Sequence, residues 1–225
     1  MRCYPFIVDL KSCVVCVVVS FDEDTDVVVM MDSSASVGQR NFETSKTFVR
    51  RLAKRFLTAE KAGRANIRVG VAQYSRTSRI EAELTSNLTM LSDQIEAAAF
   101  QNDGTDVTGA MSFALERFQI RGPGANKKRK LVLFTDGRSQ GVTTAMLEKR
   151  VRQLADAGVE LYVISVGTQV NEGNLRYMAS RGRSDDVTSA QHHLFRLADY
   201  SALLEGVFDQ TVSHRVSKAS PGRTL

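Results

Sequence analysis

The chain of 225 residues is long enough for one α/β domain or two small ones. Its composition, 43% hydrophobic and 24% charged, is that of a folded protein and excludes an intrinsically disordered chain. With 15 glycines and 3 prolines it has no collagen triplet repeat, and no apolar run reaches the roughly 20 residues that span a bilayer. A net charge of +5 is too small to indicate a nucleic-acid partner. We therefore predict no nucleic-acid binding and no membrane span.

The first 25 residues allow two interpretations. Residues 12–19 form a short apolar run behind a basic region, as in a cleaved secretory signal. Asp9 interrupts the apolar stretch, however, which favours a spacer joined to an upstream segment. All the cysteines lie in this part of the chain, so the remainder is predicted to fold without a disulfide; they are Cys3, Cys13 and Cys16.

Apolar periodicity predicts alternating strands and helices along the rest of the chain. Strands are predicted at residues 27–31, 66–75, 78–84, 131–134, 159–166 and 193–197, and helices at residues 41–57, 88–100, 108–118, 143–157, 171–180 and 199–212. This order predicts one α/β domain over residues 26–212, with a doubly wound, mostly parallel sheet between helices and a short antiparallel edge strand. A basic, flexible tail is predicted at residues 213–225.

Oxygen-bearing side chains follow the predicted strands at the carboxyl edge of the sheet, where ligands bind in such folds. Asp32, Ser34 and Ser36 form an Asp-x-Ser-x-Ser pattern directly after the first strand. Thr105 precedes a predicted helix, and Asp136 follows a predicted strand. Oxygen donors without thiolate or imidazole favour a hard cation, Mg²⁺ or Mn²⁺. Neutral hydroxyl ligands would leave the ion enough charge to attract a carboxylate from a partner.

Taken singly, each of these segments has a simpler structural interpretation. Asp32 and Ser34 would serve as helix caps, and the segments around Thr105 and Asp136 would serve as turns. The occurrence of all three segments in order, each at the end of a strand or the start of a helix, favours the metal site.

The combined pattern resembles the von Willebrand factor type A domain with its metal-ion-dependent adhesion site, over about residues 26–212. The resemblance implies a Rossmann-like fold and a non-catalytic binding module. It also implies that hydroxyls bind the ion directly or nearly so and that one or both aspartates act through water, the ligands being Asp32, Ser34, Ser36, Thr105 and Asp136. Thr108 is the alternative to Thr105, because members often carry Thr-x-Thr-Gly. Ser33 stands where many members carry glycine, with its side chain expected to point away from the metal.

Several stretches, among them FTDGRSQG and HLFRLADYSALLEGVFDQTVS, are similar to the carboxyl-terminal A module of collagen VI, in particular of its alpha-1 chain. This similarity implies a secreted module of the extracellular matrix that takes part in adhesion or assembly. Its partners would be matrix proteins or collagen chains, bound through an acidic side chain. This chain has no collagenous segment and no neighbouring A module, which leaves a fragment, an isoform or a divergent product as interpretations.

Smaller features of the sequence bear on the same interpretation. Asn87 begins an N-glycosylation sequon that is predicted to lie at the surface before a helix. A basic run would bind heparan sulfate or another polyanion, or would form an ordinary solvated loop; it comprises Lys127, Lys128, Arg129 and Lys130. The histidines are interpreted as surface or core residues and not as a zinc site; they are His192, His193 and His214.

Two alternatives to an extracellular binding module remain open. An intracellular A domain that serves as a protein-interaction scaffold would need no disulfide either. Asp32 and Asp136 beside a metal ion could also activate water, as in a hydrolase. However, the pattern supplies no histidine or third carboxylate as a general base, and it lacks a Walker A loop, an H-E-x-x-H helix and a G-x-S-x-G elbow. We therefore predict that the protein is not an enzyme.

Overall fold

The computed structural model describes residues 19–61, 65–120, 127–137, 142–168, 170–182 and 187–218. The strands are β1 (Ser20–Phe21), β2 (Thr25–Asp32), β3 (Glu60–Lys61), β4 (Ile67–Tyr74), β5 (Ser78–Thr85), β6 (Lys128–Thr135), β7 (Val159–Val166) and β8 (Leu194–Leu197). The α-helices are α1 (Gln39–Leu57), α2 (Leu88–Ala97), α3 (Val107–Ile120), α4 (Thr144–Asp156), α5 (Glu172–Ala179), α6 (Val187–His193) and α7 (Gly206–Ser217). A 3-10 helix spans Tyr200–Leu204. Within these described ranges, no helix is both long and apolar enough to cross a membrane.

Six strands form the main sheet in the order β5-β4-β2-β6-β7-β8. Neighbouring strands are parallel except β4 and β5, which pair in antiparallel fashion at one edge. All eight residues of β2 are buried, because helices cover both faces of the sheet. This architecture confirms the predicted fold class. The strands β2 and β6 are neighbours and end at the same edge, so the residues that follow them meet there.

Alternate residues of β2 enter two separate hydrophobic cores, one on each face of the sheet. Val29 and Met31 pack with α1, α2 and α7, whereas Val28 and Met30 pack with α3, α4, α5 and α6. Because both faces of the strand are buried, its sequence is a continuous apolar run and not an alternation of apolar and polar residues.

The structure corrects both predicted ends of the domain. The closing helix predicted at residues 199–212 is two helices, the 3-10 helix and α7, which are separated at Glu205 by an extended backbone with φ −67° and ψ 126°. Helix α7 continues over residues 213–217 of the predicted tail, where Val216 is fully buried. At the other end, Phe21 of the predicted spacer is buried in the core and belongs to β1. Burial of these apolar side chains extends the folded unit beyond the predicted boundaries.

Some predictions fall on residues that the structure does not describe. The cysteines lie within residues 1–18, outside the described ranges. The apolar run of the predicted signal or spacer lies there too, and only its last residue, Val19, is described. Residues 219–225 of the predicted tail and residues 121–126 before the basic run also lie outside them.

Both ends of the described chain meet at the edge where the parallel strands begin. The ammonium group of Lys218 donates a hydrogen bond to Ser20 Oγ at 3.1 Å. The ammonium group of Lys130 in turn donates to the backbone oxygen of Lys218 at 2.9 Å. We call these two hydrogen bonds the terminal clasp. It lies at the opposite edge of the sheet from Asp32, since β2 starts beside the clasp and its eight residues span about 23 Å.

Candidate metal-binding site

Two of the predicted ligands lie where β2 and β6 end side by side. Asp32 is the last residue of β2, and Asp136 directly follows β6. The backbone N–H of Asp136 donates a hydrogen bond to Asp32 Oδ2 at 3.3 Å. The parallel register of the two strands therefore joins residues that are far apart in the sequence.

Three of the predicted ligands form a hydrogen-bonded chain. The hydroxyl oxygens of Ser34 and Ser36 are 3.2 Å apart, and the Ser36 hydroxyl donates to Asp136 Oδ2. Ser34 and Asp136 are buried and Ser36 is exposed, so the chain of oxygens reaches the surface at Ser36. Two oxygens bound side by side to one Mg²⁺ ion lie about 3 Å apart, since each Mg–O bond is about 2.1 Å long in an octahedron. The spacing of the two serine oxygens therefore fits a shared hard cation.

The carboxylate of Asp32 is buried and oriented by two backbone donors. The N–H of Ser34 donates to its Oδ1 at 2.9 Å and the N–H of Asp136 donates to its Oδ2, while the Tyr74 hydroxyl oxygen lies 3.3 Å from Oδ2. Burial and then the charge of Asp136 raise the pKa of Asp32 to about 6, although the hydrogen bonds that it accepts act in the opposite direction. A nearby cation would relieve this repulsion, because positive charge favours the ionised carboxylate.

Thr105 lies in the loop before α3, beside the Asp-x-Ser-x-Ser segment. A β-bridge joins Ser34 to Asp103 and holds this loop in place, together with a 2.8 Å hydrogen bond from the N–H of Ala35 to the Asp103 oxygen. In the described part of the chain, no hydrogen bond links the Thr105 side chain to the other four predicted ligands. The alternative, Thr108, is buried and donates its hydroxyl to the carboxylate of Asp106 at 2.8 Å. Because the Thr108 hydroxyl is already hydrogen-bonded, Thr105 is favoured over Thr108 as the threonine that would bind the metal.

Two residues outside the predicted ligand set support the loop, and of these Tyr74 had no signal in the sequence. The hydroxyl of Ser33 accepts a hydrogen bond from the N–H of Gln101 at 2.8 Å, so its side chain is engaged away from the predicted ligands, as expected. The hydroxyl of Tyr74 is anchored to the backbone oxygen of Phe134 at 2.6 Å, which positions it against Asp32. Tyr74 lies at the end of the neighbouring strand β4, and only the sheet register brings it to the site.

The predicted polyanion surface at residues 127–130 requires correction. Three of its members belong to β6 and not to a loop, so their side chains alternate between the faces of the sheet. Lys130 is buried, and its ammonium group pairs with Glu160 at 3.1 Å. Lys128 is exposed but lies 3.5 Å from the carboxylate of Glu23. The four cations therefore do not form one exposed patch.

A buried charge cluster that was not predicted surrounds Glu160 in β7. Its carboxylate contacts the cations Lys130 at 3.1 Å and Arg181 at 3.2 Å, and it lies 2.9 Å from His193 Nε2. Burial raises the pKa of Glu160, but the hydrogen bond with His193 and the charge and hydrogen bond of Lys130 outweigh burial and lower it to about 2. His193 also hydrogen-bonds through Nδ1 to the backbone oxygen of Ser189 at 2.7 Å, so it is a core histidine with a structural role.

The exposed sequon residue Asn87 caps helix α2. Its Oδ1 accepts a hydrogen bond from the N–H of Met90 at 3.1 Å. The side-chain nitrogen, to which a glycan would be attached, takes no part in the cap. The predicted surface position before a helix is therefore observed.

Comparisons with known proteins agree with this architecture. The family model of the von Willebrand factor type A domain matches residues 26–210. The human collagen alpha-1(VI) chain is 43% identical over 206 residues, and the chicken chain is 40% identical over 202 residues. Each alignment covers 88% of this chain and 20% of the relative. The chain thus spans about a fifth of the length of these relatives.

A solved structure has the same fold at low sequence identity. It is proximal thread matrix protein 1 from the mussel byssus with a zinc-occupied MIDAS motif, which has a TM-score of 0.70 and 20% identity. The match covers 87% of this chain and 49% of that one. Together with the family match over residues 26–210, the fold and the similarity to collagen VI identify this chain as a member of the von Willebrand factor type A domain family.

Proposed function

We propose that this domain is a non-catalytic module of the extracellular matrix that binds partner proteins through a divalent cation. The ligands would be Asp32, Ser34, Ser36, Thr105 and Asp136. The observation that carries the proposal is the chain of oxygens from Ser34 through Ser36 to Asp136, beside the buried carboxylate of Asp32. Members of this family generally hold a divalent metal at such a site, and the mussel protein holds zinc in its own.

The donor chemistry suggests the role of each residue. The hydroxyls of Ser34, Ser36 and Thr105 would bind the ion directly, and oxygen donors of this kind favour Mg²⁺ or Mn²⁺. Asp32 already accepts two backbone hydrogen bonds and has the Tyr74 hydroxyl beside it, which suits a carboxylate that acts through a bound water. Because three ligands are neutral, the ion would keep enough charge to bind an aspartate or glutamate of a partner protein.

Metal binding is tested by the thermal stability of the wild type, Ser36→Ala and Asp136→Asn in EDTA and across Mg²⁺ and Mn²⁺ titrations. A ligand at about a hundred times its Kd stabilises the native state by about 2.7 kcal/mol, which is roughly 5–10 °C for a domain of this size. We expect this saturable rise in the wild type and a much weaker one in both variants. Ser201→Ala is the matched control, because the Ser201 hydroxyl donates its hydrogen bond to Asp199 and not to any of the proposed ligands. Equal shifts in all four proteins, or none in the wild type, would contradict the proposal.

The extracellular location is supported by the collagen VI relatives and by the exposed sequon at Asn87. We expect the chain in the medium of cultured animal cells, with a glycan on Asn87 that an N-glycosidase removes. Asn87→Asp is the control, because it abolishes the sequon and keeps an oxygen at the N-cap of α2. A chain that stays inside the cells without a glycan would favour the intracellular scaffold.

Partners of the module would be matrix proteins or collagen chains that present an acidic side chain. Heparan sulfate is a weaker candidate, since Lys130 is buried and only exposed members of the basic run, such as Lys128, would reach it.

Hydrolase activity is a weaker alternative to the binding function. In the described part of the chain, no histidine or third carboxylate joins Asp32 and Asp136 in a metal-binding group. Turnover of an ester or phosphoester with Mn²⁺ would revive that alternative.

A further inference from the structure

A cavity of about 540 Å³ adjoins the proposed metal site. Ser36 and Asp136 line it, together with residues from α1, from the end of β7 and from the 3-10 helix. One water molecule occupies about 30 Å³, so the cavity is large enough for side chains of a bound partner. Two further lining residues, Arg40 and Tyr200, carry hydrogen-bond donors, and the buried hydroxyl of Tyr200 lacks a partner in the described part of the chain.

Tyr200 is 9% exposed, and its hydroxyl has no hydrogen-bond partner among the described residues. Leaving a buried hydroxyl unpaired costs free energy that a phenylalanine would not incur. Burial and then the charges of Asp32 and Asp136 raise the pKa of Tyr200, so the hydroxyl stays a neutral donor near the two carboxylates. The hydroxyl oxygen is shielded from solvent, so a ligand in the cavity would meet it only if the ring rotated. A hydrogen bond made there would be strong, because water is excluded.

Arg40 stands in the first turn of α1 and is exposed. In the described residues its guanidinium makes no ion pair, whereas Arg50 farther along the helix pairs with Glu96 at 2.6 Å. Asp199 also lines the cavity, but its carboxylate already accepts hydrogen bonds from Ser201 and caps the 3-10 helix. Arg40 is therefore a cation that is available to an incoming anion.

We propose that this cavity is a subsite for a second anionic group of the partner, with the Tyr200 hydroxyl and the Arg40 guanidinium as donors. The inference rests on the proposed function, since the first carboxylate would be held at the metal. The ligand class is an acidic peptide segment with two carboxylates. Side chains two residues apart in an extended segment lie on one face about 7 Å from each other. This distance suits the cavity, since a sphere of its volume is about 10 Å across.

The test compares two fluorescent synthetic peptides, each with both ends blocked, in excess Mn²⁺. One has a single glutamate between glycines, and the other has a second glutamate two residues later. Fluorescence anisotropy gives the Kd of each peptide for the wild type, and we expect the peptide with two glutamates to bind roughly tenfold more tightly. Tyr200→Phe should remove most of this advantage. Arg40→Gln should weaken binding roughly three- to fivefold at low salt and have little effect in about 1 M salt.

Two controls separate the subsite from the metal site and from net charge. Lys54→Gln removes the same charge as Arg40→Gln but lies about 20 Å farther along α1, so peptide binding should be unchanged. The Mn²⁺-induced rise in Tm should persist in Tyr200→Phe. Equal affinity of the wild type for both peptides, or no loss in Tyr200→Phe, would overturn the subsite and leave the proposed function standing. Failure of Mn²⁺ to promote binding of either peptide would overturn both proposals.

Discussion

The buried carboxylate of Glu160 provides a quantitative test of the folded structure. It lies among Lys130, Arg181 and His193, far from the proposed metal site. Burial raises its pKa, but the interactions with His193 and Lys130 outweigh burial and lower the pKa from 4.5 to about 2. Each unit of pKa difference between the folded and unfolded states is worth about 1.36 kcal/mol, so the cluster contributes on the order of 3 kcal/mol to the free energy of unfolding. Because the folded pKa is the lower one, this contribution is present above the unfolded pKa near 4.5 and is lost as the pH falls towards 2.

The assay is urea unfolding of the wild type and Glu160→Gln between about pH 7 and pH 2.5. At neutral pH, Glu160→Gln should lower the free energy of unfolding by roughly 3 kcal/mol, since it leaves the buried ammonium of Lys130 without its counter-charge. The difference between the two proteins should shrink below about pH 4.5. Glu148→Gln is the control, because the 3.3 Å pair with Arg152 lies at the surface and should contribute less than about 1 kcal/mol. A difference that is small at neutral pH, or that does not change with pH, would refute this account of the cluster.

Two further substitutions test the backbone beside the site and the core beneath it. Gly137 has a φ of +75°, and a Cβ there would lie 2.6 Å from Val170 Cγ1, so Gly137→Ala should lower the Tm and weaken Mn²⁺ binding. Gly158→Ala is the control for backbone strain alone, because φ is +69° and no atom lies within 4 Å of the added Cβ; it should destabilise less. Phe48 is fully buried with its ring 5.8 Å from that of Phe134, so Phe48→Ala should lower the free energy of unfolding by about 3–5 kcal/mol in urea titrations. A decrease in the free energy of unfolding of less than about 1 kcal/mol would mean that helix α1 is not packed against the sheet as described.

The parts of the fold that could be predicted from sequence are those with a strong local pattern. Strand β7 was predicted with its observed bounds, because VELYVISV is rich in β-branched and other apolar residues, as is typical of a strand buried on both faces. Helix α6 was missed, since VTSAQHH has too few apolar residues to show helical spacing. The break at Glu205 was also missed, because the apolar residues on both sides of it suggest one amphipathic helix.

The candidate site divides in the same way. Asp32, Ser34 and Asp136 could be placed together because each follows a buried strand, and parallel strands end at one edge. Tyr74 and Tyr200 could not, since a tyrosine in an apolar stretch looks like any other core residue. Their positions depend on the sheet register and on the path of the chain after β8, which local pattern does not encode.

The terminal clasp has a mechanical consequence for any longer chain in which this domain is embedded. Lys218 and Ser20 are held together, so the described chain begins and ends side by side at one edge of the sheet. A pulling force applied at these two ends would load the clasp first. The edge that carries Asp32 lies about 23 Å away, outside the direct line of force. In a longer chain under tension, the edge that carries the proposed metal site would therefore bear no load.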